Sequence, residues 1–331
     1  MTDTLLLSWQ DLEKTLDFSS ALDALNEAFR AEGQSLWDTP KRIAAHTKGG
    51  GLLAMPCGGG EPEALGAKLV STFAGNGVLG LPSVSGLYAL FDPSTGVLLA
   101  VMDGAYLTLV RTAAVSALAT RVMARADASS MSLGVFGAGA QAEFHIRLLA
   151  TVRPIRSVTV WARRPESAQA LMVRLRDLAE LRSIESWTVA KAPEQAAAQD
   201  IVVTATGSTT PVLEGRWLHE GCHVVAIGTH TRTAREIDTA AVTRAATLVV
   251  ETADTLREAG DFQMVEDEAG GILTRVATLG RFIESSATTP RDVSSISIFK
   301  SCGVAFEDLA VATVAFRRAR DLGLGSAFAF S

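Results

Sequence analysis

The sequence predicts an α/β protein in which a Rossmann-type, doubly wound parallel-sheet domain is inserted into a discontinuous α+β domain. Three observations predict it. From Ser132 to Glu251, short apolar strands alternate with helical stretches, the rhythm of parallel βαβ units whose sheet is covered on both faces. The first of these strands runs into Gly137-Ala138-Gly139-Ala140-Gln141-Ala142, a G-x-G-x-x-A turn that opens a helix. From Leu52 to Val101 the apolar runs are instead broken by Gly, Pro and Asn, the pattern of antiparallel strands joined by turns.

Taken in order, residues 9 to 33 read as two short amphipathic helices, the second placing Ala21, Leu22, Leu25, Ala28 and Phe29 on one face. Strands follow at Ala67–Phe73, Val84–Phe91 and Val97–Met102, with Asp92-Pro93-Ser94-Thr95-Gly96 as the turn between the last two. An Ala-rich helix is expected over Thr112–Arg125. The parallel strands are Ser132–Phe136, Val158–Ala162, Trp187–Ala190, Ile201–Ala205, Val224–Ile227 and Leu248–Glu251. A last strand, Ile296–Phe299, and an amphipathic helix over Phe306–Asp321 are expected to return to the first domain. The domains are therefore 1–114 plus 296–331, and 115–295.

Length and charge exclude several functions. A chain of 331 residues suits two cores rather than one. A net charge of −6 without a stripe of Lys and Arg gives no field for nucleic acid. Apolar stretches are interrupted before they could span a bilayer, and Met1 to Gln10 lack the basic start of a signal peptide. Cys57, Cys222 and Cys302 are few and scattered, as expected of reduced thiols in a cytoplasmic protein.

The glycine turn carries the first chemistry. Gly137 permits the tight turn, Gly139 lets a pyrophosphate approach the backbone, and Ala142 lets the helix Gln141–Leu149 pack close to the sheet, its amide end toward the phosphates. The second strand ends in Ala162-Arg163-Arg164, where an NAD enzyme usually carries an acid for the ribose hydroxyl. Two guanidinium groups suit a 2′-phosphate, so NADPH is the expected cofactor and NADH the alternative. Thr204-Ala205-Thr206 forms a second small-residue turn facing the dinucleotide.

Several blocks resemble the ornithine cyclodeaminase/mu-crystallin family. They are Gly66-Ala67-Lys68-Leu69-Val70, Asp103-Gly104, Leu107 to Ala114 with its Arg111-Thr112-Ala113-Ala114 core, and the Gly-x-Gly turn with Gln141-Ala142. Further along come Thr204-Ala205-Thr206, Gly221 to Gly228, Glu236-Ile237-Asp238, Glu258 with Gly260-Asp261, and Phe299-Lys300-Ser301-Cys302-Gly303 followed by Asp308. They occur in order over nearly the whole chain. The resemblance implies a homodimer joined through the antiparallel strands, an active site in the cleft between domains, and a small imino or amino acid as substrate. It makes Lys68 the catalytic lysine, for the substrate carboxylate or for proton transfer to nitrogen. Arg111, just before the long helix, becomes the carboxylate-binding arginine and Arg42 a second clamp. Thr112, Gly228, Lys300 and Gly303 join Gly137, Ala138, Gly139, Ala140, Gln141, Ala162, Arg163, Arg164, Thr204, Ala205 and Thr206 in the cofactor-binding set.

One departure disfavours cyclodeamination. Ornithine cyclodeaminases place an aspartate two residues after the glycine ending the fifth strand; here Gly228 and Thr229 are followed by His230. A ketimine reductase has only to clamp a carboxylate, protonate the imine nitrogen and accept a hydride at C2. His230 is a candidate for that protonation because its intrinsic pKa lies near working pH. The expected function is NAD(P)H-dependent reduction of Δ1-pyrroline-2-carboxylate or Δ1-piperideine-2-carboxylate to proline or pipecolate. The alternatives are an ornithine or lysine cyclodeaminase with bound NAD, an alanine-type dehydrogenase, and an NADPH-binding protein of the mu-crystallin kind. No metal is expected. His219-Glu220-Gly221-Cys222-His223 spells H-E-x-x-H, but a glycine and an immediately following strand break the helix that a zinc site needs. Cys302 has no histidine partner in sequence and reads as a buried structural thiol.

Overall fold

A computed structural model describes residues 3–125, 128–286 and 292–330. The chain divides into two compact units, residues 1–111 with 304–331, and residues 112–303.

The first unit begins with β1 (Thr4–Leu7), α1 (Trp9–Thr15) and α2 (Phe18–Gly33). Ser8 and Asp17 start the two helices by accepting backbone amides of Asp11 and Ser20, so each helix begins where a polar side chain can satisfy its first turn. Strands β2 (Trp37–Asp38), β3 (Ile43–His46), β4 (Gly51–Gly59), β5 (Ala64–Thr72), β6 (Val84–Phe91) and β7 (Leu98–Asp103) follow. With β16 (Ser326–Phe328) they form one sheet in the order β16-β1-β7-β6-β5-β4-β2, with β3 paired to β4. The pairs from β4 to β7 are antiparallel. Asp92 builds the β6–β7 turn by accepting the amides of Ser94 and Thr95.

Alternation sets the two faces of this sheet. Met55, Cys57, Lys68, Val70, Tyr88, Leu90 and Met102 are buried, and α11 (Ala305–Leu322) packs on β4, β5 and β6. The exposed apolar residues include Leu52, Leu65, Leu69 and Leu87, with Ile43 exposed on the neighbouring edge strand.

Helix α3 (Gly104–Met123) starts eight residues before the expected Thr112. Asp103 Oδ1 accepts the Tyr106 amide at 2.8 Å, and Leu107 and Val110 are fully buried at helical spacing. The core therefore extends the helix through residues whose mixed composition masks its start.

The second unit is a parallel sheet of β8 (Met131–Phe136), β9 (Ile155–Trp161), β10 (Ser186–Val189), β11 (Ile201–Thr204), β12 (His223–Ala226), β13 (Thr247–Val250), β14 (Val276–Thr278) and β15 (Ser297–Lys300). Their order is β10-β9-β8-β11-β12-β15-β13-β14. The connecting helices are α4 (Ala140–Val152), α5 (Pro165–Leu175), α6 (Pro193–Ala197), α7 (Thr239–Arg244), α8 (Ala253–Glu258), α9 (Gly260–Ala269) and α10 (Leu279–Ser286). The chain leaves β8 in one direction through β9 and in the other through β11, so the strand order reverses between β8 and β11. A doubly wound sheet opens its ligand crevice at such a reversal.

The strand expected at Ile296–Phe299 corrects the domain boundary. It does not return to the first unit but lies between β12 and β13. All four of its residues are buried, as an interior strand covered on both faces requires. The chain re-enters the first unit only at Val304.

Candidate active site

Two buried ion clusters organise the candidate site residues, one in each unit. In the first, Lys68 stands on the covered face of β5, directly across from Tyr88 of β6 and Met55 of β4. Its side chain is 2% exposed, and Nζ lies 2.7 Å from Asp308 Oδ2. Arg111, from α3, places Nη1 2.8 Å from Glu307 Oε2 and Nε 3.4 Å from Asp308 Oδ1. Glu307 and Asp308 occupy the first turn of α11, where the helix dipole also favours negative charge.

Burial pushes the Lys68 ammonium down to about 8; Asp308 opposes that, and the Arg111 guanidinium reinforces it. Two uncharged titratable neighbours, Cys57 and Tyr88, stay neutral. Burial raises the Cys57 thiol to about 12 and holds the Tyr88 phenol well above its ordinary value, in both cases with Asp308 adding to the shift. A lysine that titrates near working pH beside a fixed guanidinium can bind an anion and move a proton.

Arg111 lies within the helix rather than just before it. It is the eighth residue of α3, so no helix amide end accompanies it. Arg42 precedes β3 and is half-buried.

In the second unit the glycine turn joins β8 to α4. Gly137 has φ +111°, and a Cβ there would lie 2.4 Å from the Ala205 carbonyl, so only glycine fits. Gly139 is exposed, a Cβ on it would meet nothing within 4 Å, and no side chain caps α4. The turn therefore leaves an open cradle of small residues, Ala138 and Ala140 included, at the start of a thirteen-residue helix. Ala142 is fully buried and Gln141 half-buried. Ala162, Arg163 and Arg164 follow β9, both arginines exposed, and among the described residues neither has an ion-pair partner. This cradle fits a dinucleotide: space for a pyrophosphate at Gly139 and free cations at the strand that reads the ribose.

Other residues expected to touch the cofactor are already engaged. Lys300 is completely buried; its ammonium lies 2.9 Å from Asp261 Oδ2 and donates to the Thr229 carbonyl at 2.6 Å. It is a structural ion, with no side-chain atom left for a ligand at the surface. The Thr204 and Thr206 hydroxyls donate to Glu236, and the Gly303 amide donates to Glu251. Thr112 is buried in α3. Ala205 is half-buried beside Gly137, Gly228 lies just after β12, and His230 is exposed on the same loop.

His219 is exposed, with Nδ1 2.7 Å from the Glu220 carbonyl. His223 is buried in β12, with Nδ1 2.9 Å from Ser297 Oγ. Among the described residues no group of His, Cys, Asp or Glu could hold a metal, and no helix is long and apolar enough to cross a membrane. Cys302 is half-buried rather than buried.

Sequence reasoning missed the partners. It gave none of Glu307, Glu251, Asp308, Glu236 and Asp261 a role at the site. The available signal was acidic residues inside apolar runs, such as Ala305-Phe306-Glu307-Asp308-Leu309, which are buried only when paired.

Comparison with known proteins follows the same lines. The profile of the ornithine cyclodeaminase/mu-crystallin family matches residues 2–322. The solved Δ1-pyrroline-2-carboxylate reductase of Thermococcus litoralis, in complex with NADH and L-proline, is 33% identical with a TM-score of 0.91, over 98% of this chain and 99% of that one. An archaeal alanine dehydrogenase dimer with bound NAD is 31% identical with a TM-score of 0.91, over the full length of both chains. The ketimine reductase mu-crystallin of Mus musculus is 33% identical over 275 residues, 83% of this chain and 82% of its own.

Proposed function

Since the chain belongs to the ornithine cyclodeaminase/mu-crystallin family, we propose that it reduces a cyclic ketimine carboxylate, Δ1-pyrroline-2-carboxylate or Δ1-piperideine-2-carboxylate, to proline or pipecolate. That it is an enzyme of nicotinamide-dependent amino and imino acid chemistry follows from its relatives. The observation that carries the finer reading is the buried Lys68–Arg111 cluster, whose lysine is pushed down to about 8.

Arg111 and Lys68 supply the positive charge for the substrate carboxylate, Arg111 through its planar fork. In the resting cluster Glu307 and Asp308 balance both cations. An arriving carboxylate adds one negative charge, which favours the protonated lysine. Lys68 then holds a proton for the imine nitrogen, which accepts a hydride far better once protonated. His230, exposed beside Gly228, is the second candidate for that hydrogen bond. The cofactor would be held by Gly137, Ala138, Gly139, Ala140 and Gln141, with Arg163 and Arg164 favouring NADPH over NADH through a 2′-phosphate. When bound, the reduced nicotinamide supplies the hydride. Proton and hydride together turn C=N into CH–NH.

We assign substrate binding and dimerisation to the first unit and cofactor binding to the second. The exposed residues Ile43, Leu52, Leu65, Leu69, Val84 and Leu87 supply an apolar surface for a homodimer contact, and the archaeal alanine dehydrogenase is a dimer.

Purified protein with NADPH and Δ1-piperideine-2-carboxylate is expected to yield pipecolate and oxidised cofactor. Turnover of ornithine with NAD to proline, and none of the ketimine, would replace the proposal with a cyclodeaminase. A second reading, reductive amination of pyruvate to alanine, is favoured by full-length coverage of the archaeal alanine dehydrogenase; pyruvate, ammonia and NADH form the third arm.

A further inference from the structure

Glu236, on the segment between β12 and α7, is completely buried. Four donors converge on its carboxylate. Oε1 accepts the Thr206 amide at 2.7 Å and the Thr206 hydroxyl at 2.6 Å. Oε2 accepts the Thr204 hydroxyl at 2.9 Å and the Gly228 amide at 2.7 Å. Those donors come from the end of β11, the turn after it, and the turn after β12. One side chain thus ties together the carboxyl ends of two neighbouring parallel strands.

The residue is itself held. Its own amide donates to Asp261 Oδ1 at 2.7 Å, beside the Ile237 amide at 3.1 Å. Asp261 Oδ2 in turn accepts the Thr229 hydroxyl at 2.9 Å and pairs with Lys300. Burial lifts the Glu236 carboxyl above its ordinary range, with Lys300 and Thr206 pulling it back. Only a carboxylate suits four donors: it is acceptor-only, and an amide would turn its NH2 against two of them. Gly228 is part of the fit, since a Cβ there would lie 2.3 Å from Glu236 Oε1.

The position points to one half of a ligand. β8 and β9 carry the glycine turn and the ribose-reading arginines. β11 and β12 lie across the strand-order reversal, where a dinucleotide on a doubly wound sheet places its second nucleotide. We infer that Glu236 is a positioning residue for the nicotinamide half of the cofactor, setting the turns after β11 and β12 into their binding shape before the ligand arrives. This rests on the reading that the second unit binds a nicotinamide dinucleotide.

The test compares affinities, by calorimetry, of NADPH and NADH with those of the adenine-half probes adenosine 2′,5′-bisphosphate and ADP. Glu236→Gln is expected to weaken dinucleotide binding about tenfold or more, the cost of a buried acceptor replaced by a donor. Adenine-half binding should change by less than about threefold. Thr204→Val, which removes one buried donor while keeping the side chain's shape, should weaken the dinucleotides alone by about threefold. Folded Glu236→Gln protein that binds dinucleotide as the wild type does, or weakens all probes in proportion, overturns the inference. If Glu236→Gln does not fold, Thr204→Val decides by the same split: selective weakening supports the inference, and unchanged or uniformly weakened binding overturns it. Wild-type protein that binds no dinucleotide sinks the cofactor reading and this inference with it, whereas intact wild-type binding with an indifferent variant sinks the inference alone.

Discussion

Each unit contains one buried lysine paired with one buried aspartate, and the two pairs behave differently. Lys68 meets Asp308 at 2.7 Å and Lys300 meets Asp261 at 2.9 Å. Burial pulls both ammonium groups down. The next neighbours reverse the outcome for one of them. Lys68 lies beside Arg111, a second cation, and is left near 8. Lys300 lies beside Asp261 and Glu236 and donates to both oxygens of Thr229, and is held above its ordinary value. A third charge, rather than the ion pair, decides whether a buried lysine is a group that titrates in use or a permanently charged post.

Replacing each lysine by methionine should separate these roles most strongly. Lys300→Met leaves Asp261 as an uncompensated buried charge, a loss of about 3–5 kcal/mol, read as a large fall in Tm. Lys68→Met leaves Asp308 next to Arg111, 3.4 Å away, so Tm should move little while kcat/KM drops ~10²–10⁴-fold. A Lys68→Met protein as unstable as Lys300→Met would erase the distinction.

The pH dependence sharpens it. If protonated Lys68 is required, kcat/KM falls as pH rises above about 8. Asp308→Asn removes a charge that raises the Lys68 value, so this alkaline limb should move to lower pH; an unmoved limb would mean that Asp308 does not set it. Stability carries the opposite signs. The folded value of Lys68 lies below its ordinary 10.5, so the unfolded chain binds the extra proton and stability rises between about 8 and 10.5. Lys300, raised, contributes stability that is complete below 10.5 and lost as pH climbs through its folded value. Urea unfolding of wild type and Lys68→Met across this range should show the rising contribution vanish in the variant.

How much of this was legible in the sequence differs between the two clusters. Six of the eight parallel strands were legible as short apolar runs, whereas β14 is only three residues long and β15 gave no local sign of which sheet it joins; Gly137 and Gly139 marked the turn by their spacing between a strand and a helix. Lys68 and Arg111 came from resemblance, since a lone cation on a strand or helix carries no signal of its own. The start of α3 was hidden because Asp103-Gly104 looks like a turn, and only the buried stripe beyond it reveals the helix. The ion pair of Lys300 was not legible because its partners Asp261 and Thr229 lie 39 and 71 positions away in the chain, a separation no local pattern reports. Glu236 was quoted as part of a block and given no task for the same reason: its four donors converge only after β11 and β12 pair.

The remaining effects belong to the exposed groups. His230→Ala should lower kcat/KM by ~10²-fold if the imidazole protonates the imine; a change under about threefold would leave Lys68 as the sole proton source. Arg163 and Arg164 are exposed, and screened cations contribute modestly. Arg163→Ala and Arg164→Ala should each shift the NADPH-to-NADH ratio of kcat/KM toward NADH by about tenfold or less. Salt discriminates the exposed charges from the buried ones. At about 1 M salt the screening length shrinks to roughly 3 Å, so the wild-type preference for NADPH should contract toward that of the alanine variants. The alkaline limb set by Lys68, enclosed by Asp308, Glu307 and Arg111, should hold its position over the same range. A preference for NADPH that survives both substitutions and high salt would mean that the two arginines do not read the 2′-phosphate.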